Sequence, residues 1–149
     1  MKSIGYILGI AGLIVGVWLF RKYQAAQRLS FSVGSPQGIR FTSTLIEWVQ
    51  PIQVTNPEAI GIKIQGVSLD NYFGGAQVGR SVLFQPTTIA GQSTTILPVT
   101  VQVPYANLLQ AIPDFWNVFK NKSIKFQLIG DLTAEGVKVP INQTINLAL

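Results

Sequence analysis

Ser93-Thr94-Thr95-Ile96-Leu97-Pro98-Val99-Thr100-Val101-Gln102-Val103 is the most informative stretch of this 149-residue chain. Thr95, Leu97, Val99, Val101 and Val103 fall on one face by period two. A helix would scatter these side chains around its axis, whereas a strand aims them all at one core. Ile60, Ile62 and Ile64 repeat the pattern upstream. Working outward predicts strands near Leu29–Val33, Gly38–Ser43, Leu45–Thr55, Ile60–Asp70, Gln77–Phe84, Ser93–Val103, Ser123–Leu132 and Val137–Leu147. Gly34-Ser35-Pro36, Asn56-Pro57, Gly74-Gly75, Ala90-Gly91 and Ala134-Glu135-Gly136 mark turns between them. Short strands separated by turns at this spacing predict an all-β fold, an antiparallel β-sandwich over residues 29–149.

One stretch departs from period two. Apolar residues at 105, 108, 109, 112, 115, 116 and 119 have helical spacing. Pro113 should kink or divide that segment, giving a short helical crossover between sheets. Phe115, Trp116 and Phe119 lie near Lys120, Lys122 and Lys125. They read either as an interfacial foot on a bilayer or as a cap on the sandwich core.

The front of the chain differs in kind. Ser3 to Phe20 is an uncharged run, SIGYILGIAGLIVGVWLF, long enough as a helix to span roughly 27 Å. Arg21-Lys22 follow where a signal peptide would carry a small-residue cleavage site, so the run reads as an uncleaved single transmembrane helix. The expected organisation is a membrane anchor at 1–22, a short linker at 23–28 and the sandwich at 29–149. Lys2, Arg21, Lys22 and Arg28 are the expected membrane-flank charges. Their balance places the large domain on the cytoplasmic, positive-inside side of a cellular or internal virion membrane. Gly5, Gly9, Gly12 and Gly16 share one helical face, which suits close helix–helix packing with itself or another subunit.

Composition limits the chemistry. Eleven per cent of residues are charged, and the chain has no His and no Cys. That excludes Ser-His-Asp and Cys-His catalysis, zinc fingers, iron–sulfur clusters and disulfides. The net charge of +5 resides at the front, because residues 29–149 hold seven bases and six acids. A nearly neutral head releases few counterions from phosphate, so no nucleic-acid partner is expected. Gly74 to Ser81, GGAQVGRS, nearly fits a phosphate-binding loop, but the following Val82-Leu83-Phe84 reads as strand where a helix is required. Asp131 and Glu135 flank a turn without the alternating acids of a calcium loop. Glu47 is expected to face solvent beside an inward Trp48. Neither catalytic residues, nor a cofactor, nor a metal site is expected.

Thr55-Asn56-Pro57 ends one strand and Gly66-Val67-Ser68-Leu69 lies in the next. Gly79 follows, and then Pro86-Thr87-Thr88-Ile89-Ala90-Gly91-Gln92-Ser93 runs into Leu97-Pro98-Val99. Phe126-Gln127-Leu128-Ile129-Gly130 and Val139-Pro140-Ile141 come near the end. This pattern, over about residues 40 to 147, resembles the water-stress and hypersensitive-response (WHy) domain, or second group of late-embryogenesis-abundant proteins. The resemblance implies a fibronectin-III- or immunoglobulin-like sandwich, no known catalytic residues and, in many members, an N-terminal membrane anchor. In physical terms Asn56 should cap a turn, and Gly91 should supply a positive φ in a hairpin.

The expected function is non-catalytic: a membrane-anchored structural protein whose sandwich docks other protein subunits beside the bilayer. Such a protein would suit a membrane-to-capsid link in a virion or an envelope complex. The alternative is a stress-protective protein, as the resemblance suggests. A binder of lipid or a small ligand between the sheets is a third reading.

Overall fold

The computed structural model describes the backbone of residues 3–111, 120 and 123–148, with side chains from Ile14 onward. Helix α1 (Ser3–Gln27) comes first. The strands are β1 (Ser30–Val33), β2 (Gln37–Phe41), β3 (Leu45–Asn56), β4 (Ile62–Phe73), β5 (Ala76–Leu83), β6 (Thr87–Ile89), β7 (Ser93–Pro104), β8 (Ser123–Ala134) and β9 (Val137–Ala148). A short helix α2 (Tyr105–Ala111) follows β7, where helical spacing begins in the sequence. Pro113 and the aromatics Phe115, Trp116 and Phe119 lie outside the described residues.

All strand pairs are antiparallel and form two sheets. In the first, β3 is central, with β7 on one side and β1 and β2 sharing the other. The second runs β5–β4–β8–β9, with β6 extending the β5 edge along Ile62–Ile64. The eight expected strands are all present, and β6 is the addition. Its three residues are too few for an alternation signal, and pairing to β4 makes it a strand.

Alternation builds the core. Trp48, Ile52 and Val54 of β3 and Val99, Val101 and Val103 of β7 are fully buried. Leu69, Phe126, Leu128 and Leu132 face them from the second sheet. The Trp48 and Phe126 rings are 5.2 Å apart, and Phe73 and Phe126 are 5.5 Å apart. In β4 the buried set changes phase, from Ile62 and Ile64 to Val67 and Leu69. A bulge between Ile64 and Gly66 supplies the extra residue and keeps both sets aimed inward.

The expected membrane anchor is corrected. Among the described residues no helix is long and apolar enough to cross a membrane. That finding overturns the single-pass membrane localisation, its orientation, and the virion-membrane reading that depended on it. Helix α1 packs on the sandwich, with Ala25 and Ala26 in the hydrophobic core. Residues 23–27, read as a linker, are thus the last turns of α1.

Candidate functional site

The end of α1 meets the sandwich through small residues and charge. Ala25 and Ala26 lack the bulk to hold the helix away, so its backbone approaches the core closely and both are buried. Lys22 Nζ donates to Glu135 Oε1 at 3.0 Å, and the backbone N–H of Lys63 donates to the same oxygen at 2.8 Å. Lys22 also lies 4.4 Å from the centre of the Trp18 ring, a cation–π contact. Arg28 pairs with Glu58 at 2.8 Å across a more exposed gap.

Burial by itself would raise the Glu135 carboxyl. The Lys63 amide, the Lys22 hydrogen bond and the charges of Lys22 and Lys63 outweigh it, so the group sits below the ordinary carboxylate range. A carboxyl lowered in the folded state adds stability above its unfolded value near 4.3, and that stability is lost as pH falls through the lower folded value. Glu135→Gln should therefore lower stability by about 1 kcal/mol at pH 7, with the difference from the parent shrinking to nothing in acid. Urea unfolding of both proteins from pH 7 to pH 2 measures this.

Arg21, Gln24, Ala25 and Arg28 line one wall of a groove of about 270 Å³, and Glu58, Ala59 and Ile60 line the other. Asn56 shapes that second wall. Its Nδ2 donates to the carbonyls of Ile60 at 2.7 Å and Ala90 at 3.1 Å, while its Oδ1 accepts from the Glu58 N–H at 3.1 Å. The expected turn-capping role of Asn56 is seen, and it is deeper than a cap: the side chain is fully buried and ties two loops together. The expected positive φ at Gly91 is not seen; Gln92 takes it instead, at 53°. Gly91 is needed for close approach, because a Cβ there would run into the Ala59 backbone.

Three of the expected membrane-flank charges thus converge on one junction. Lys22 and Arg28 are spent on carboxylates of the sandwich, and Arg21 faces the groove. Lys2 lies outside the described residues, as do the side-chain positions of Gly5, Gly9 and Gly12. Gly16 is described, and a Cβ added there would meet nothing within 4 Å. Alternation could not reveal the junction, since Glu58 and Glu135 come from turns remote in sequence from α1. Ala25-Ala26 followed by Leu29 was the one available signal.

Elsewhere the polar groups are structural. Gln50 accepts from Trp48 Nε1 at 3.3 Å and donates to the Gly34 carbonyl at 2.6 Å. Asn71 donates to Ser81 Oγ at 2.9 Å inside the core. Glu47 is held below the ordinary carboxylate range by hydrogen bonds from Gln102 and Arg40 and by the Arg40 charge, against a small effect of burial. The phosphate-loop lookalike is the β4–β5 hairpin, with Gly74 and Gly75 at φ of 56° and 85°. Among the described residues no three acids gather to hold a metal ion. The junction groove offers guanidinium, carboxylate and amide groups, which can bind by charge and hydrogen bonding.

Two solved structures have a similar fold. A protein from Archaeoglobus fulgidus superimposes with a TM-score of 0.57 at 16% identity, over 81% of this chain and 94% of that one. A solution structure of an Arabidopsis thaliana protein gives 0.61 at 23% identity, over 79% and 78%. At these identities the likeness concerns the fold. No curated protein sequence matches the chain. The family model described as late embryogenesis abundant protein matches residues 52–145, from the middle of β3 into β9. More than half of the chain falls within that match, and the chain belongs to the late embryogenesis abundant protein family.

Proposed function

We propose that this is a non-catalytic, stress-protective protein that limits aggregation of neighbouring proteins as water is lost. The observation that carries the reading is the family match over residues 52–145, which takes in the strands of both sheets after the first half of β3. Surface chemistry supports it. Gln53, Thr94, Thr100, Gln102, Asn142, Thr144 and Asn146 are exposed on the strands, and residues 29–149 carry seven bases against six acids. Drying concentrates salt, which screens charged groups. Amide and hydroxyl groups keep their hydrogen-bonding capacity under those conditions, so such a surface goes on presenting polar partners.

The test is a drying and rehydration assay. A labile client enzyme is dried with the full chain, or with an unrelated β-sandwich of equal mass, and assayed after rehydration. Severalfold greater recovery with this protein is the expected outcome. Recovery equal to that with the unrelated sandwich would dismiss the reading.

A further inference from the structure

Every long strand of the two sheets but one has its edges managed. β3, β4 and β8 are central. The free side of β7 is approached by β5, since a Cβ on Gly79 would lie 2.7 Å from the Gln102 carbonyl oxygen. The edges formed by β1 and β2, and by β5 and β6, are each broken into short pieces. β9 is twelve residues long and, among the described residues, pairs only with β8. α1 contacts β9, and Val137 and Val139 at the start of the strand are partly buried against the core. Beyond them the edge runs Ile141-Asn142-Gln143-Thr144-Ile145-Asn146-Leu147-Ala148, with no charge, no proline and no bulge. Charge, proline and bulges are the usual devices that stop sheet edges from pairing.

The hairpin fixes which groups that edge offers. Glu135 and Gly136 form a two-residue turn with φ of 47° and 79°, the primed type. Such a turn makes Ala134 and Val137 a hydrogen-bonded pair, and antiparallel pairs then alternate. Following the register, Gly130–Ile141, Leu128–Gln143 and Phe126–Ile145 are hydrogen-bonded, so Asn142, Thr144 and Asn146 point their N–H and C=O groups away from β8. Pro140 has the same parity, which suits a residue with no N–H to give.

We propose that a second copy of this chain pairs on this edge, β9 against β9, antiparallel about a two-fold axis at Thr144. The two four-stranded arrays β5–β4–β8–β9 then become one continuous sheet. The occupant follows from self-complementarity. Asn142 of each copy faces Asn146 of the other, Thr144 faces Thr144, and Ile141 faces Leu147 beside the core. Lys138 falls outside the paired stretch, so no like charges oppose each other. Pro140 sits at the margin, where its missing donor matters least. This pairing does not depend on protective activity, and either reading can fail alone.

The full chain is studied in mild detergent, which keeps exposed Ile14, Val17 and Phe20 of α1 from clustering. Sedimentation equilibrium should give the mass of two chains, and Thr144→Pro should give the mass of one. The substitution removes a donor that is unused within the chain, so thermal unfolding of the diluted monomer should not change. Thr144→Lys, which leaves the backbone intact and sets two like charges face to face, should also give monomers. Amides of Asn142, Thr144 and Asn146 should exchange slowly at high concentration and quickly on dilution. A parent protein that stays monomeric overturns the proposal. So does a dimer that survives both substitutions, as pairing through the glycine face of α1 would. A monomeric parent whose client protection is lost on Thr144→Pro also overturns it, and would mean that the edge takes an extended segment of another protein.

Discussion

Gly130→Ala is expected to lower stability by about 4 kcal/mol or more, enough to leave much of the protein unfolded at 37 °C. Gly130 sits opposite Leu69 where the two central strands of the second sheet, β4 and β8, pair. A Cβ there would occupy the space of the Ser68 carbonyl oxygen and lie 2.9 Å from the Leu69 Cα. Those are backbone atoms of a central strand, so no rotamer change relieves the overlap. Either β4 and β8 separate or the register shifts by one residue, which would turn Leu128 and Leu132 out of the core. Gly136→Ala is the control. Its positive φ strains the hairpin, but a Cβ meets nothing within 4 Å, so its effect should stay near 1 kcal/mol. Chemical denaturation of the two variants beside the parent measures both; equal effects would show that the close approach at Gly130 carries no weight.

Asn56→Ala should lower stability by about 3 kcal/mol, summing two main-chain groups left without partners. The side chain is fully buried. Its loss strands the Ile60 carbonyl and the Glu58 N–H, while the Ala90 carbonyl keeps the Ser93 hydroxyl as its donor at 2.7 Å. A midpoint shift of roughly 10 °C in thermal unfolding is expected for a domain of this size. Asn56→Asp separates geometry from charge: it keeps the acceptor for Glu58 but aims a carboxylate at two carbonyls, so it should be no better than alanine. A tolerated Asn56→Asp would mean that the loop rearranges around the carboxylate. Because Glu58, Ala59 and Ile60 line the junction groove, these variants should also loosen the packing of α1.

Gly130 and Asn56 are among the residues on which the resemblance to late-embryogenesis-abundant proteins was read. Their roles explain why such a pattern is visible in one sequence. Neither is reactive, and each is demanded by backbone: one by two strands that approach too closely for a Cβ, the other by three main-chain groups that its side chain ties together. Gly91 belongs with them, lying against the Ala59 backbone. A pattern made of such residues transfers a scaffold and leaves its use to the surface.

The sandwich was legible because strands obey local rules. Alternation from Ser93 to Val103 requires one buried face whatever the neighbours are, and all eight expected strands lie within a few residues of the observed ones. The turns were legible because glycine, proline and asparagine respond to local dihedral demands. The phase change in β4 was not, since period two breaks at Gly66 and only pairing with β8 resolves it. Nor was β6, which is a strand only because Ile62–Ile64 lies beside it.

The front of the chain shows the opposite balance. Hydropathy and charge from Ser3 to Arg28 suggested an anchor with flanking bases, a reading that treats each residue by its own solvation. The tertiary structure pairs Lys22 with Glu135, more than a hundred residues away, and buries Ala25 and Ala26 in the core. Local sequence thus determined which segments are strand, helix and turn, because those states follow from side-chain period and backbone dihedral preference within a few residues. Only the tertiary structure decided what α1 rests on, which charges are matched and which edge has no partner strand among the described residues. Those outcomes depend on surfaces from distant segments meeting in space, and no single stretch of chain contains them.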